Sequence, residues 1–355
     1  MLPPFLGPNA PPVTWRAGVP LATLTTLEVG GPARWVVDAL APAAVPQVVA
    51  ACDAAGVPVL VLGGGSNVLA ADAGFPGVVI RLAGGTPTAR PHPEGIEVTV
   101  AGGTVWDALV AWSVDAGWVG LEGLSGIPGC VGAAPIQNIG AYGAEVGEVL
   151  TAVEVYDRHT RDCGWLAAAE CGFGYRWSRF KAERDRFIVL QVRLRLDPGG
   201  VARVRYAELA THLGAETASP AAVRAAVLAI RRRKSMVLDP DDENRRSAGS
   251  FFLNPVVTAA QAAAVAARVP EPMPHWDVAE GTKLSAAWLI ERAGLTRGFG
   301  EGPVGLSTRH TLALVNRGGA TAAQVWAFAE RVRSKVWTSF GIVLEPEPVR
   351  VGFDD

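Results

Sequence analysis

Residues 123–143 read GLSGIPGCVGAAPIQNIGAYG. No charged side chain lies between Glu122 and Glu145, yet the stretch carries six glycines and two prolines. A core helix or strand does not tolerate that glycine load. A buried irregular loop of this length would have to satisfy all its own polar groups, which is uncommon. A backbone lying flat against a large, partly apolar ligand needs such a composition, so the stretch is expected to line a cofactor site.

A second glycine-rich turn, VLGGGSNVL at 61–69, follows the strand-like run VPVLVL, which is expected to be buried. Loops of this kind bring backbone N–H groups to phosphates. The turn fails the dinucleotide fingerprint, because Val68 stands where a further glycine is needed and no helix pattern opens after it. It also lacks a phosphate-loop lysine.

At 355 residues the chain is long for one core, and two or three domains are expected. A hydrophobic fraction of 49% fits a folded protein, and a net charge of −2 gives no pull toward nucleic acid or anionic lipid. Cys52, Cys130, Cys163 and Cys171 form no metal-ligating pair. The start, MLPPFLGPNAPPVTW, lacks the basic and apolar regions of a signal peptide, and no run of about 20 apolar residues suggests a membrane span. A cytoplasmic monomer without nucleic-acid, membrane or metal partners is expected.

Strand and helix signals alternate early: RWVVDAL is strand-like, then Val45, Val48, Val49 and Cys52 recur at helical spacing before Gly56. Thr104-x-x-Asp107 reads as the cap of a helix with Val105, Leu109 and Trp112 on one face. In FIVLQVRLRL, Ile188, Leu190, Val192, Leu194 and Leu196 alternate with polar residues, a strand with one buried face. Ser219-Pro220 opens a helix with Val223, Val227 and Ile230 inside, ending in RRRK at 231–234. A domain boundary is expected after it, in the polar run DPDDENRRS. Thr258-x-x-Gln261 and Thr321-x-x-Gln324 read as capping boxes, KLSAAWLIERA as a helix ended by Gly294, and GIVLEPEPVRVG as a final strand.

The two loops, with TLEVGGPARW near the start, resemble the FAD-binding portion of the UDP-N-acetylenolpyruvoylglucosamine reductase (MurB) family. The resemblance continues through CGFGYRWSRFK, VRYAEL, RRRK, AGSFFLNP, KLSAAWLIERAG and LEPEPVRVG, from about Thr23 to Gly352. It implies an α+β fold: a two-part FAD-binding domain of the vanillyl-alcohol oxidase/p-cresol methylhydroxylase type, plus a C-terminal α+β substrate domain. The implied divisions are a Pro-rich N-terminal extension (1–22), FAD-binding subdomains at 23–83 and 84–234, and a substrate-binding domain at 235–355 whose last strand can return to the flavin site. The implied reaction, in peptidoglycan precursor synthesis, passes a hydride from NADPH through FAD to an enolpyruvyl ether of UDP-N-acetylglucosamine. FAD contacts are expected from Leu62, Gly63, Gly64, Gly65, Ser66 and Asn67, and from Ser125, Gly126, Ile127, Gly129, Gly132, Ala133, Gln137, Asn138 and Gly140.

Such a reduction builds negative charge beside the substrate carboxylate, so it needs a cation, an acid and a proton source. Ser250 falls on the family's proton donor, although a serine in a loop more often caps a turn. Arg176 matches the arginine that steadies the developing enolate, and Trp177 beside it departs from the shorter polar residue of many relatives. Glu347 matches the acidic partner, with Glu345 its rival on the same face if this is a strand. The arginine of that run stands one place late, so no flavin contact is carried to Arg350. Substrate binding is expected from Tyr142, Tyr175, Tyr206, Lys234 and Asn254, Tyr206 marking the subtype with a substrate-covering segment. Lys234 also suits a helix C-terminus, and Asn254 a turn before Pro255. The rival readings are a same-fold flavin oxidase of sugars or lactones, a non-catalytic UDP-sugar binder and, more distantly, a serine hydrolase, which G-x-S-x-G would have marked.

Overall fold

The computed structural model describes residues 3–6 and 13–353. The chain folds as two compact units. One takes the chain up to Val19, then Ala33–Gly64 and Pro76–Arg233; the other takes Pro20–Pro32, Gly65–Phe75 and Lys234 onward. Residues 23–32 and 65–75, placed by sequence in the first flavin subdomain, therefore belong with the C-terminal part. The reason is pairing with the far end of the chain: Val349–Val351 runs parallel to Val68–Ala70, and Asn316 Nδ2 donates to Leu27 O (2.9 Å). Of the Pro-rich start, 1–2 and 7–12 lie outside the described residues. The rest is not a bare extension, because Trp15–Pro20 is a strand whose Trp15 and Val19 are buried.

Among the described residues the first unit holds a four-stranded and a five-stranded sheet, besides two short two-stranded ladders. The four-stranded one runs in the order Trp15–Pro20, Pro32–Leu40, Phe75–Leu82, Val59–Val61. Its core takes Val37, Leu40, Val78 and Ile80 against Val45, Val48, Val49 and Cys52 of the helix Val45–Ala54, as the helical spacing predicts. The five-stranded one runs in the order Asp162–Ala167, Leu150–Asp157, Phe187–Leu196, Gly95–Ala101, Thr88–His92.

The long strand Phe187–Leu196 does not bury one continuous face. Its pairing passes from Glu154↔Gln191 to Val155↔Val189 and skips Leu190. A bulge of this kind reverses the alternation. Ile188 and Leu190 therefore pack in the core around the helix Val45–Ala54, whereas Val192, Leu194 and Leu196 pack with Trp106 and Leu109.

Other expectations also need correction. Thr104 caps no helix: its hydroxyl donates to Gly85 O (3.1 Å) and accepts from Gly85 N (3.0 Å). The helix runs Trp106–Asp115 and buries Trp106, Leu109, Val110 and Val114, while Val105 is exposed. The run VPVLVL gives only a short strand, Val59–Val61, and Val61 is exposed.

In the second unit, one core gathers Phe251, Phe252, Leu284, Leu289, Val325, Val332 and Val336. Both capping boxes form, Thr258 with Gln261 and Thr321 with Gln324. Asp72 adds to the second, its carboxylate accepting from Ala322 N (2.7 Å) and Ala323 N (3.0 Å) at the positive end of the 19-residue helix Ala322–Phe340. The helix expected over KLSAAWLIERA begins late, at Ala286, because Lys283 and Leu284 close the strand Gly281–Leu284. The expected C-terminal strand shrinks to Val349–Val351, because Pro346 and Pro348 interrupt any longer ladder.

Candidate functional site

A cavity of about 370 Å³ lies inside the first unit. Strand ends and glycine turns wall it: Val61–Gly63, Arg81–Gly84, Gly102–Gly103, Cys130, Gly132, Ala133, Ile136 and Phe187–Val189, with Asp38 and Ala39. The glycines are there because backbone meets backbone. A Cβ on Gly64 would sit 2.8 Å from Gly129 Cα, and one on Gly132 would sit 3.1 Å from Gly102 Cα. One on Gly103 would sit 2.1 Å from Leu82 O, closer than any real contact. Burial pushes the Cys130 thiol up, so it is a small apolar wall group rather than a thiolate.

The expected cofactor residues divide. Leu62, Gly63, Gly132 and Ala133 line the cavity, and Gly64 and Gly129 bring its two loops together. Ser125 is buried, with its hydroxyl donated to Glu122 O (2.7 Å). Gly126 N donates to Asp107 Oδ1 (2.6 Å), a carboxylate that Arg224 also grips and holds below the usual range against the opposing effect of burial. Ile127 packs against the core, and Gln137 Oε1 accepts from Lys181 Nζ (3.3 Å). Asn138 is committed to structure: Nδ2 donates to Glu145 Oε2 (2.8 Å) and Gly174 O (2.9 Å), and Oδ1 accepts from Gly147 N (2.9 Å). Gly65, Ser66 and Asn67 fall in the second unit, where Asn67 Nδ2 donates to Glu347 O (3.3 Å) and Asn67 O accepts from Val349 N (2.9 Å). Sequence reasoning missed Arg81, Asp38 and the pair of turns at 83–84 and 102–103. The signal for all but Asp38 was the repeated AGG following two strands, RLAGG and TVAGG.

Tyr175 and Arg176 sit at the corners of a tight turn closed by Gly174 and Trp177. Arg176 holds φ +51°, a left-handed conformation that costs a branched or long side chain on the order of 1 kcal/mol or more. Its guanidinium donates to Asn138 O (3.4 Å) and to Gly140 O. A Cβ on Gly140 would come within 2.8 Å of that guanidinium and 3.0 Å of Ala144 O, so the glycine gives the arginine room. Tyr142 also holds a positive φ, +50°, and meets Tyr206 edge to face at 5.5 Å. Burial pushes the Tyr142 phenol up to about 12 and raises Tyr206 too, so both are neutral donors at ordinary pH. Tyr206 opens the helix Ala207–Leu213, and Lys234, half-buried, follows the helix Pro220–Arg233.

In the second unit Ser250 follows Gly249, which holds φ +69°. Among the described residues the Ser250 hydroxyl makes no hydrogen bond. The segment around it is tied at both ends: Thr26 Oγ1 donates to Ser247 O (2.6 Å), and Phe251 N donates to Leu312 O (2.7 Å). Phe251 O accepts from Glu347 N (2.9 Å) and Leu253 N donates to Glu345 O (2.9 Å), so the two segments run side by side through the Phe252–Pro346 bridge. Glu345 is exposed and Glu347 half-buried. Asn254 Oδ1 accepts from Ala286 N (2.9 Å), so this side chain also serves the helix start.

Residues 239–351 match the family described as UDP-N-acetylenolpyruvoylglucosamine reductase, C-terminal domain, and residues 33–160 match an FAD binding domain. The chain is 47% identical over 347 residues to the UDP-N-acetylenolpyruvoylglucosamine reductase of Streptomyces avermitilis, with 94% of each chain covered. With the Nocardia farcinica enzyme of that name the identity is 51% over 350 residues, covering 96% of this chain and 90% of the relative. The chain belongs to the UDP-N-acetylenolpyruvoylglucosamine reductase family. The crystal structure of the family's Thermus caldophilus member superposes with a TM-score of 0.65 at 31% identity, covering 96% of this chain and 98% of that one. FAD is the family's cofactor, and the cavity fits it: a void walled largely by backbone, glycines and apolar side chains suits a flat ligand held by main-chain groups. No helix among the described residues is long and apolar enough to cross a membrane.

Proposed function

We propose that this chain reduces the enolpyruvyl ether of UDP-N-acetylglucosamine to UDP-N-acetylmuramate, with NADPH as donor, in peptidoglycan precursor synthesis. When bound, FAD supplies the two-electron chemistry that relays a hydride from NADPH to the enolpyruvyl double bond. The chain's own residues supply the rest. Arg176, with its cation fixed by two carbonyls, is assigned to the substrate carboxylate, where negative charge builds. Ser250 is assigned the proton delivered to C2, and Glu347 the acidic role beside it. Tyr142, Tyr175, Tyr206, Lys234 and Asn254 are assigned to the UDP-sugar. We place the enzyme in the cytoplasm, which its four free thiols suit.

The observation that carries the reading is the Phe251 backbone. It hydrogen-bonds Leu312 on one side and Glu347 on the other, which supports assigning roles to both Ser250 and Glu347, because the segment that carries Ser250 is tied to the one that carries Glu347. The Ser250 hydroxyl is left with no hydrogen bond among the described residues, which suits a proton donor and not a turn cap. The half-buried setting of Glu347, against the exposed one of Glu345, supports assigning the acidic role to Glu347.

Stopped-flow separation of the two half-reactions tests this. Ser250→Ala is expected to keep NADPH-driven flavin bleaching and to slow recolouring by the enolpyruvyl ether. Equal rates of recolouring in wild type and variant would remove Ser250 from the reaction.

A further inference from the structure

Arg350 stands one place late for the arginine of its run, and on a strand one place is the other face. Its guanidinium carbon lies 4.7 Å from the centre of the Trp326 ring and 4.5 Å from that of Phe353, so one cation meets two aromatic rings. Both rings are half-buried and pack on the core of the second unit. The surrounding elements form a frame. Val349–Val351 pairs with Val68–Ala70. Asp72, two residues further on, accepts from Ala322 N (2.7 Å) and Ala323 N (3.0 Å) and so fixes the start of the helix Ala322–Phe340. Trp326 stands one turn into that helix. Strand, capping segment and helix are thus joined at two corners, and the contact of Arg350 with Trp326 makes the third. Val351 is buried on the opposite face of the strand, which is therefore held from both sides. Glu347 lies two residues before this strand. Its N–H goes to Phe251 O (2.9 Å), and its carbonyl accepts from Asn67 Nδ2 (3.3 Å). Pro346 and Pro348 flank it and have no N–H to give. With no backbone donor on either neighbour, the pose of Glu347 leans on the short strand that follows.

We propose that Arg350 is a positioning residue: clasped by Trp326 and Phe353, it holds the strand that sets Glu347, and it touches neither flavin nor substrate. The inference rests on the assignment of the acidic role to Glu347.

The test measures both half-reactions of the full-length flavoprotein by stopped flow. Arg350→Met keeps a long apolar stem and removes the charge. At exposed sites each cation–ring contact is worth about two- to fivefold in an equilibrium constant, so reoxidation by the enolpyruvyl ether is expected to slow about three- to tenfold. Flavin content and reduction by NADPH are expected to stay as in wild type. Arg350→Lys keeps a cation for the rings and is expected to lose less. Lower flavin content with both half-reactions slowed alike would show a merely structural role and overturn the proposal. Trp326→Leu separates positioning from direct contact, because it removes a ring and leaves the guanidinium. It is expected to slow the same half-reaction, and the double variant to be no slower than Arg350→Met alone, since both changes break one interaction. Slowing by Arg350→Met without slowing by Trp326→Leu, or a double variant slowed by the product of the two, would put Arg350 on a ligand and overturn the proposal. Should Trp326→Leu fold poorly, Phe353→Leu removes the other ring. Glu347→Gln is run beside them. Reoxidation at the wild-type rate in that variant takes down the Glu347 assignment and this inference together. Slow reoxidation in Glu347→Gln with an unchanged rate in Arg350→Met takes down this inference alone.

Discussion

The cavity loops of the first unit and the Ser250 segment of the second solve opposite problems. Around the cavity, side chains have been removed: Gly64, Gly103 and Gly132 exist so that strands and turns can touch, and recognition passes to main-chain groups. Around Ser250, side chains matter singly, and hydrogen bonds at the backbone of Ser247, which accepts from Thr26 Oγ1, and of Phe251 and Leu253, which donate, hold the chain that carries them. A cofactor that is always the same can be held by shape. A proton delivered to one carbon needs one atom in one place. Damage to the first region should therefore appear as lost flavin, and damage to the second as a lost step in a protein that keeps its flavin.

The largest expected effect sharpens this contrast. Ser250→Ala should slow reoxidation of the flavin by the enolpyruvyl ether by about 10²–10⁴-fold, the range for removing a positioned proton donor. Flavin content and the rate of reduction by NADPH should not change. Next comes Gly64→Ala, which drives a methyl to 2.8 Å from Gly129 Cα. The expected cost is about 1–3 kcal/mol, with the purified protein flavin-poor by its ratio of visible to ultraviolet absorbance. A Gly64→Ala enzyme that holds a full complement of flavin yet fails at proton delivery would break the comparison.

A residue outside both regions gives a baseline. Asp157 is held at about 2, chiefly by hydrogen bonds from Arg186. Its folded pKa lies below the ordinary carboxylate value, so its contribution is complete above pH ~4 and is lost as pH falls through ~2. Asp157→Asn should cost about 1 kcal/mol in urea melts at neutral pH. That gap should close toward pH ~2, with flavin content and both half-reactions normal at neutral pH.

The smallest effect is expected at Glu28, which pairs with Arg245 and Arg246 just upstream of Ser250. The arginines hold its carboxyl below the usual range, against the opposing effect of burial. The pairs are half-exposed, so Glu28→Gln should cost no more than about 1 kcal/mol by thermal melts. Any loss of rate should fall on reoxidation and not on NADPH reduction.

Part of the first region was legible in sequence because its physics is compositional: Leu62, Gly63, Gly132 and Ala133 of the two glycine-rich stretches do line the cavity. An uncharged stretch with the glycines of 123–143 has few structural uses, and the capping boxes at Thr258 and Thr321 are local rules that held. What could not be read depended on distant partners. Asn138 looks like a ligand-binding asparagine until Glu145, Gly147 and Gly174 claim its amide. Thr104 looks like a helix cap until Gly85 takes its hydroxyl. The alternation in Phe187–Leu196 hides a bulge that only the partner strand reveals. Ser250 was the hardest case, because nothing local separates a proton donor from a turn serine. Its place came from resemblance, and its support from the ties on either side of it.

The central claim is that this chain couples NADPH oxidation to reduction of the enolpyruvyl ether. Its most direct test is anaerobic: the purified flavoprotein is bleached with NADPH, then UDP-N-acetylglucosamine enolpyruvate is added while the visible spectrum is followed. The account predicts rapid recolouring with stoichiometric UDP-N-acetylmuramate. Flavin that stays bleached with the ether and recolours only when oxygen is admitted would contradict it, and would identify an oxidase built on the same fold.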